Sequence, residues 1–143
     1  MLKFIFIFYF IFNSLGSEEY FLSLRNDKVN LRLGPSFDYP IKIIYKKKYL
    51  PVLIKEKSEN FRKIQDHENN SGWIHISQLS KKRSGITLKE MILYSRPTVY
   101  SKPLANIETG RLIIISKCKD SWCKIKSDKY SGWIKKNNIW GRL

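Results

Sequence analysis

A four-residue segment that occurs twice constrains the fold of this chain more than any other feature. Ser71-Gly72-Trp73-Ile74 recurs as Ser131-Gly132-Trp133-Ile134, and each copy closes a unit of about sixty residues. The two units also open alike, with residues 29–36 in the first and 91–98 in the second. A unit of this size lies near the lower limit for folding around one core. The repeat therefore predicts two small domains in tandem that pack against each other.

The hydrophobic pattern within each unit is typical of short β-strands. Val29, Leu31 and Leu33 alternate with polar residues, which is the period-two pattern of a half-buried strand. Gly34-Pro35 then favours a turn. No segment shows a sustained 3.6-residue apolar period, so little helix is expected. Five short strands per unit, with 86–93 as the first strand of the second, predict an all-β fold of two tandem small barrels.

The N-terminus has the pattern of a secretory signal peptide. Lys3 precedes the apolar run Phe4–Phe12, and small residues then lead to a cleavage site before Ser17. The run is too short to span a bilayer, although an uncleaved membrane anchor is the alternative. The expected organisation is a signal peptide over 1–16, domain 1 over 20–80, a linker over 81–85 and domain 2 over 86–143. A periplasmic or secreted location follows, with no stable membrane span in the mature chain.

The charge of the chain is strongly basic and unevenly distributed. The formal net charge is +15, and residues 81–143 hold 15 basic and 4 acidic side chains, against 11 and 6 in residues 20–80. Such a balance favours anionic partners such as nucleic acid, lipid head groups or acidic wall polymers. Predicted export argues against nucleic acid. A general lysine-rich composition is an alternative explanation of the same charge.

The two cysteines, Cys118 and Cys123, are expected to form a disulfide. If residues 112–118 and 123–126 form a hairpin, a four-residue loop places the two cysteines opposite each other, within disulfide reach. Export makes oxidation plausible, and a loop this small predicts about 2 kcal/mol of stabilisation. A redox motif would require C-x-x-C, and zinc would require four ligands. No metal or cofactor is therefore expected.

No catalytic motif is present in the sequence. It contains no Ser-His-Asp order, no H-E-x-x-H, no P-loop and no Cys-His pair. His67 falls in a polar turn, and His75 follows Trp73 on a predicted strand. We therefore expect a protein that is not an enzyme.

Several segments resemble the bacterial SH3-like (SH3b) domain family, and more closely the short exported alphaproteobacterial proteins that carry two such domains. The similar segments are Val29-Asn30-Leu31-Arg32-x-Gly34-Pro35-Ser36, Asp38-Tyr39-Pro40-Ile41, Leu50-Pro51-Val52, 61–66 and Gly72-Trp73-Ile74-His75. The resemblance covers residues 20–143 and is stronger in the first unit, because Arg96 replaces Gly34 and Ile92 replaces Asn30 in the second. It implies SH3-like β-barrels and a binding role, often toward peptidoglycan or its peptide stems.

Five residues are candidates for ligand contact. Trp73 and Trp133 are either stacking platforms or side chains that pack against their own barrels, with the preceding glycine allowing close approach. Tyr39 and Tyr45 follow the opening segment, where aromatic residues line the peptide groove of eukaryotic SH3 domains. Arg32 is a candidate clamp for a carboxylate.

The expected function is a non-catalytic binding or scaffolding module of the cell envelope that recognises peptidoglycan or its peptides. The alternative is a periplasmic protein–protein adaptor without glycan affinity. We expect a monomer that does not bind nucleic acid.

Overall fold

The computed structural model describes residues 18–143, so the predicted signal peptide lies outside the described residues. Fourteen strands form two seven-stranded antiparallel sheets, and the described part of the chain has no α-helix. A short 3-10 turn spans Ile76–Gln78. Within residues 18–143, no helix has the length and apolarity that a membrane span requires. The prediction of an all-β fold in two tandem domains is confirmed, with seven strands in each domain where five were expected.

The first sheet contains strands β1 to β7 in the order β3-β2-β6-β5-β4-β1-β7. The strands are β1 (Tyr20–Leu24), β2 (Val29–Arg32), β3 (Ile41–Tyr45), β4 (Pro51–Ser58), β5 (Phe61–Gln65), β6 (Ser71–His75) and β7 (Leu79–Ser80). The second sheet has the equivalent order, β10-β9-β13-β12-β11-β8-β14. Its strands are β8 (Ser84–Thr87), β9 (Met91–Tyr94), β10 (Pro103–Ile107), β11 (Leu112–Lys119), β12 (Trp122–Ser127), β13 (Tyr130–Lys135) and β14 (Ile139–Gly141). The sequence repeat is therefore a repeat of the whole topology.

Each sheet surrounds its own apolar core. Alternate residues of the strands point inward, and the fully buried ones include Leu31, Ile64 and Ile74 in domain 1 and Leu93, Ile125 and Ile134 in domain 2. Side chains between these positions point outward and are free to form binding surfaces.

The start of domain 2 differs from the prediction. The segment 86–93, expected to be one strand, is divided into β8 and β9 by a turn at 88–90. Strand β8 pairs with β11 and β14, whereas β9 pairs with β10 and β13. The Thr87 hydroxyl, which donates to the carbonyl of Glu108 at 2.7 Å, holds the chain where it leaves the first of these ladders. Strand β8 begins at Ser84, inside the stretch 81–85 expected to be linker.

The two domains are in direct contact. The Ser84 hydroxyl donates to the Tyr49 carbonyl at 2.6 Å, and the Trp140 indole donates to the Pro51 carbonyl at 3.3 Å. The ring of Trp140 also meets the ring of Phe21 edge-on, with centroids 5.1 Å apart. Strand β14 thus packs against domain 1.

The predicted disulfide is present. Cys118 on β11 lies directly opposite Cys123 on β12, with their Cα atoms 4.0 Å apart. The strands continue one residue beyond the cysteines, so that Lys119 pairs with Trp122. The disulfide therefore ties together the tip of the β11–β12 hairpin.

Candidate binding grooves of the two domains

Each domain has the same loop after its second strand, over residues 33–40 in domain 1 and 95–102 in domain 2. We call it the opening loop. Three backbone hydrogen bonds define it, and they recur at equivalent positions in the two domains. In domain 1 the donor–acceptor pairs are Leu33 to Pro40, Ser36 to Gly34 and Tyr39 to Ser36. In domain 2 they are Ser95 to Lys102, Thr98 to Arg96 and Ser101 to Thr98. Side chains in the two loops can therefore be compared position by position.

In domain 1 the opening loop fills the groove beside its own sheet. The Phe37 ring stacks on His75, with centroids 5.1 Å apart and planes 29° apart, and meets Phe61 edge-on at 5.2 Å. Phe61 points away from the apolar core, yet it is only 7% exposed because Phe37 and His75 cover it. Phe37 itself remains 65% exposed. An aromatic side chain of the protein thus occupies the place that a ligand could take.

Arg32 holds this loop in position. Its Nη1 atom donates to the carbonyls of Phe37 and Tyr39, at 3.1 Å and 2.9 Å. Its guanidinium carbon lies 5.4 Å from the centre of the Phe37 ring. Across the ladder, Arg32 pairs with Trp73, so the structure brings these two predicted site residues together. Both of these hydrogen bonds go to the loop backbone.

In domain 2 the equivalent groove is open. Val99 stands at the position of Phe37, Trp122 at that of Phe61 and Lys135 at that of His75. These three residues line a groove of about 630 Å³ together with Pro97, Thr98, Ser121, Lys136 and Asn137. Its lining contains two lysines and no carboxylate. A second hollow of about 370 Å³ shares Val99 and Lys135 with it. The smaller Val99 side chain leaves exposed the aromatic surface that Phe37 covers in domain 1.

Tyr94 and Trp133 lie near Trp122 on neighbouring strands, and Tyr94 lines the second hollow. Tyr94 occupies the position of Arg32, and its ring meets Trp122 edge-on at 5.6 Å. Trp133 pairs with Tyr94 across the ladder, and the ammonium of Lys117 lies 5.6 Å from the centre of its ring. Both tryptophans are half-buried. The predicted site residue Trp133 is thus a ladder neighbour of Tyr94 and Lys124, and the residues that line the groove do not include it.

The glycine before each repeated tryptophan allows close strand packing. A Cβ on Gly72 would lie 2.7 Å from the Leu31 side chain and 2.8 Å from the Arg32 carbonyl, and a Cβ on Gly132 would lie 2.5 Å from the Tyr94 carbonyl. The two glycines are therefore required because a larger residue would collide with the neighbouring strand. The stacking role of the tryptophans stays a prediction.

Tyr45 lies in the core of domain 1 and not beside Trp73. Its hydroxyl donates to Oδ2 of Asp66 at 2.8 Å, and both residues are buried. Burial, the hydrogen bond and the nearby Asp66 carboxylate together raise the pKa of Tyr45. Asp66 also accepts hydrogen bonds from the amides of Glu68 and Asn70, so Tyr45 helps to fix the turn after β5.

Phe37, Phe61, Val99, Trp122 and Lys135 were not predicted as site residues. Alignment of the two halves could have identified them, because Trp122 falls at the Phe61 position in the sequence itself. The packing of the opening loop on the sheet, which decides whether the groove is filled, has no local sequence signal. Within the described residues, no group of His, Cys, Asp and Glu side chains could hold a metal ion.

The fold and the paired grooves define a tandem SH3-like protein, and residues 18–143 contain no α-helix. The model of the bacterial SH3 domain matches residues 25–81 and again residues 88–141, so this chain belongs to the bacterial SH3 domain family. The finer likeness to alphaproteobacterial proteins stays a prediction.

Several solved structures are similar to the chain. Two of them are NlpC2 and NlpC1 from Trichomonas vaginalis, at 16% and 15% sequence identity and a TM-score of 0.39 for each. The alignments cover 85% of this chain but only 48% and 45% of those chains, so the chain spans about half the length of either structure. Comparison with curated proteins found no match.

Proposed function

We propose that this protein is a non-catalytic binding module of the cell envelope and that the groove of domain 2 recognises peptidoglycan through its peptide stems. The observation that carries the proposal is the difference between the grooves. Phe37 covers Phe61 in domain 1, whereas Val99 leaves Trp122 open in domain 2. A groove that the protein does not fill is available to a ligand.

The chemistry of the open groove suits a short peptide with a free carboxylate. Trp122 and Val99 offer an apolar surface for aliphatic side chains, and Lys135 and Lys136 offer ammonium groups to a carboxylate. No acidic side chain in the lining would repel such a ligand. The stem peptides of peptidoglycan combine small aliphatic side chains with carboxylates.

The family and the disulfide both support an extracytoplasmic location. Disulfides persist mainly in oxidising compartments, and Cys118–Cys123 closes a hairpin that contributes Trp122 to the groove. A periplasmic or secreted protein would have access to the cell wall.

Co-sedimentation with purified peptidoglycan sacculi tests this function. The chain without residues 1–16 would be compared with Val99→Phe, which copies the residue that fills the groove in domain 1. Phe37→Val, which opens the groove of domain 1, is the matched control. We expect retention of the wild type at low and high salt, at least about tenfold weaker retention of Val99→Phe, and no loss in the control.

Two outcomes of this experiment would contradict binding through the groove of domain 2. One is no retention of the folded wild type at either salt concentration, and the other is equal retention of Val99→Phe. Release of soluble fragments from the sacculi during incubation would contradict the non-catalytic part.

The alternative is a periplasmic protein–protein adaptor without glycan affinity. It is favoured by exposed apolar side chains on the outermost strands, Ile41 and Ile44 on β3 and Leu104 on β10. An edge strand with exposed apolar residues can pair with another chain. This function predicts that Ile44→Lys abolishes capture of a periplasmic partner while sacculus retention is absent in every variant.

A further inference from the structure

The outer face of strands β11, β12 and β13 carries five lysines. Burial alternates along β12: Cys123 and Ile125 point into the core, whereas Trp122, Lys124 and Lys126 point outward. The same alternation on the neighbouring strands brings the outward lysines together. We call the five of them the lysine face: Lys117, Lys119, Lys124, Lys126 and Lys135, all exposed.

The strand register arranges these lysines around the two tryptophans. Trp122 lies between Lys119 and Lys135 across the three strands. In the next row, Lys124 lies between Lys117 and Trp133. Neighbouring strands are about 5 Å apart and outward residues about 7 Å apart along a strand. The lysine face is thus a compact array of ammonium groups interleaved with aromatic rings.

Ion pairs do not neutralise this array in the described part of the chain, although Asp120 and Asp128 flank β12. Within residues 18–143, no salt bridge involves any of the five lysines. Lys117 lies directly opposite Lys124, and like charges at opposed positions destabilise a sheet. In domain 1 the equivalent pair is Glu56 and Lys63, which form an ion pair at 3.8 Å. The same fold therefore forms without this charge, and the lysine face is a specific feature of domain 2.

The other three positions of the lysine face also differ from the equivalent positions on the outer face of domain 1. Where domain 2 has lysines at 119, 126 and 135, domain 1 has Ser58, Gln65 and His75. A general bias toward lysine would act on both domains, but only one of the two equivalent faces is basic.

We propose that the lysine face binds an anionic polysaccharide. The ammonium groups would pair with carboxylate, sulfate or phosphate groups along the polymer, and the partly exposed rings of Trp122 and Trp133 would pack against the apolar faces of its sugar rings. Nucleic acid offers the same two features. The disulfide at the tip of this hairpin favours the polysaccharide, because oxidising compartments contain little nucleic acid.

This surface shares Trp122 and Lys135 with the groove of domain 2, but three of its lysines lie outside the groove. Lys117, Lys124 and Lys126 contribute to the face and are absent from the groove lining. Substitution of these three lysines therefore tests the polysaccharide surface, whereas Val99→Phe tests the groove.

The experiment measures binding to dextran sulfate by fluorescence anisotropy, with neutral dextran of the same length as the reference. The variant is Lys117→Gln with Lys124→Gln and Lys126→Gln. The matched control is Lys46→Gln with Lys47→Gln and Lys48→Gln, which removes the same charge from an exposed turn of domain 1. We expect salt-sensitive binding of the wild type to dextran sulfate only, a loss on the order of 100-fold in the variant and a loss below about threefold in the control.

Three results would overturn the proposal. Equal losses in the variant and the control would show that net charge alone causes binding. Tighter binding to a single-stranded thymidine oligonucleotide than to dextran sulfate, lost in the same variant, would reassign the face to nucleic acid. If the wild-type protein is folded, as its unfolding curve would show, and does not bind dextran sulfate, the lysine face is not a polysaccharide-binding surface.

Discussion

At the scale of residues, Gly34 and Tyr39 form a pair that changes together between the domains. A Cβ on Gly34 would collide with the ring of Tyr39. In domain 2 the equivalent residues are Arg96 and Ser101, and the Ser101 hydroxyl donates to the Thr98 carbonyl at 2.7 Å, with the Arg96 carbonyl 3.0 Å away. One opening loop is therefore supported by a ring over a glycine, and the other by a small hydroxyl.

This pairing predicts strong coupling between two substitutions. Gly34→Arg alone should destabilise the protein by about 1–3 kcal/mol, because the new side chain and the Tyr39 ring need the same space. The double variant Gly34→Arg with Tyr39→Ser should recover at least about 0.5 kcal/mol of the summed single losses. Urea denaturation of the three variants measures the coupling. If the loss in unfolding free energy of the double variant equals the sum of the two single losses, residues 34 and 39 are not energetically coupled.

The hydrogen bond from Tyr45 to Asp66 predicts a pH-dependent contribution to stability. The pKa of Tyr45 is raised above the usual value of about 10. The hydrogen bond therefore stabilises the folded protein fully below about pH 10, and this stabilisation is lost as the pH rises above about 10. Tyr45→Phe should cost about 1 kcal/mol at pH 7. The difference between the two proteins should shrink above pH 10. Denaturation at several pH values gives this difference, and a constant gap through pH 11 would contradict the assignment.

Tyr45 and Phe37 also show what the sequence alone could provide. The β-strand periodicity, the tandem repeat and the pairing of Cys118 with Cys123 depend on local alternation and hairpin register, and they were predicted. The number of strands per unit was not, because five were expected and the structure has seven. The role of Tyr45 depends on Asp66, 21 residues away, which the turn after β5 brings beneath its hydroxyl. The closing of one groove by Phe37 depends in turn on packing between a loop and two other strands. Such nonlocal contacts leave no periodic trace in the sequence.

At the scale of elements, the β11–β12 hairpin combines a disulfide at its tip with repulsion on its outer face. The disulfide closes a six-residue segment from Cys118 to Cys123. Lys117 and Lys124 lie opposite each other directly below it. The hairpin is thus held together by a covalent bond at the point where its charges oppose pairing, which allows domain 2 to carry a basic surface on the common fold.

Substitution of one lysine should relieve this repulsion. Lys117→Glu restores the arrangement of Glu56 and Lys63 in domain 1, and it should stabilise the protein by about 0.5–1 kcal/mol at low salt. The gain should decrease as salt screens the charges. Thermal unfolding at low and high ionic strength measures it. Destabilisation at low salt would mean that the lysines are not in repulsion.

At the scale of the whole molecule, Trp140 and Ile86 join the two barrels. Ile86 of β8 is buried against the core of domain 1, and Trp140 of β14 packs on Phe21 and bonds to Pro51. Domains of about sixty residues are marginal alone, so this contact layer should couple their unfolding.

Trp140→Ala should therefore separate the unfolding of the two domains. We expect a loss of about 2–3 kcal/mol and two resolved calorimetric transitions in place of one. Trp140→Phe, which keeps much of the ring contact, should retain a single transition at a slightly lower temperature. A single unshifted transition in Trp140→Ala would show that the contact layer does not couple the domains.

The difference between the filled and the open groove is the central claim, and an NMR titration tests it most directly. A soluble stem tetrapeptide of peptidoglycan would be added to the ¹⁵N-labelled chain without residues 1–16. We expect amide shifts to concentrate in residues 95–102, Trp122 and Lys135, while the amides of residues 33–40 and Trp73 stay unchanged. Shifts confined to domain 1, or none at saturating peptide, would contradict it.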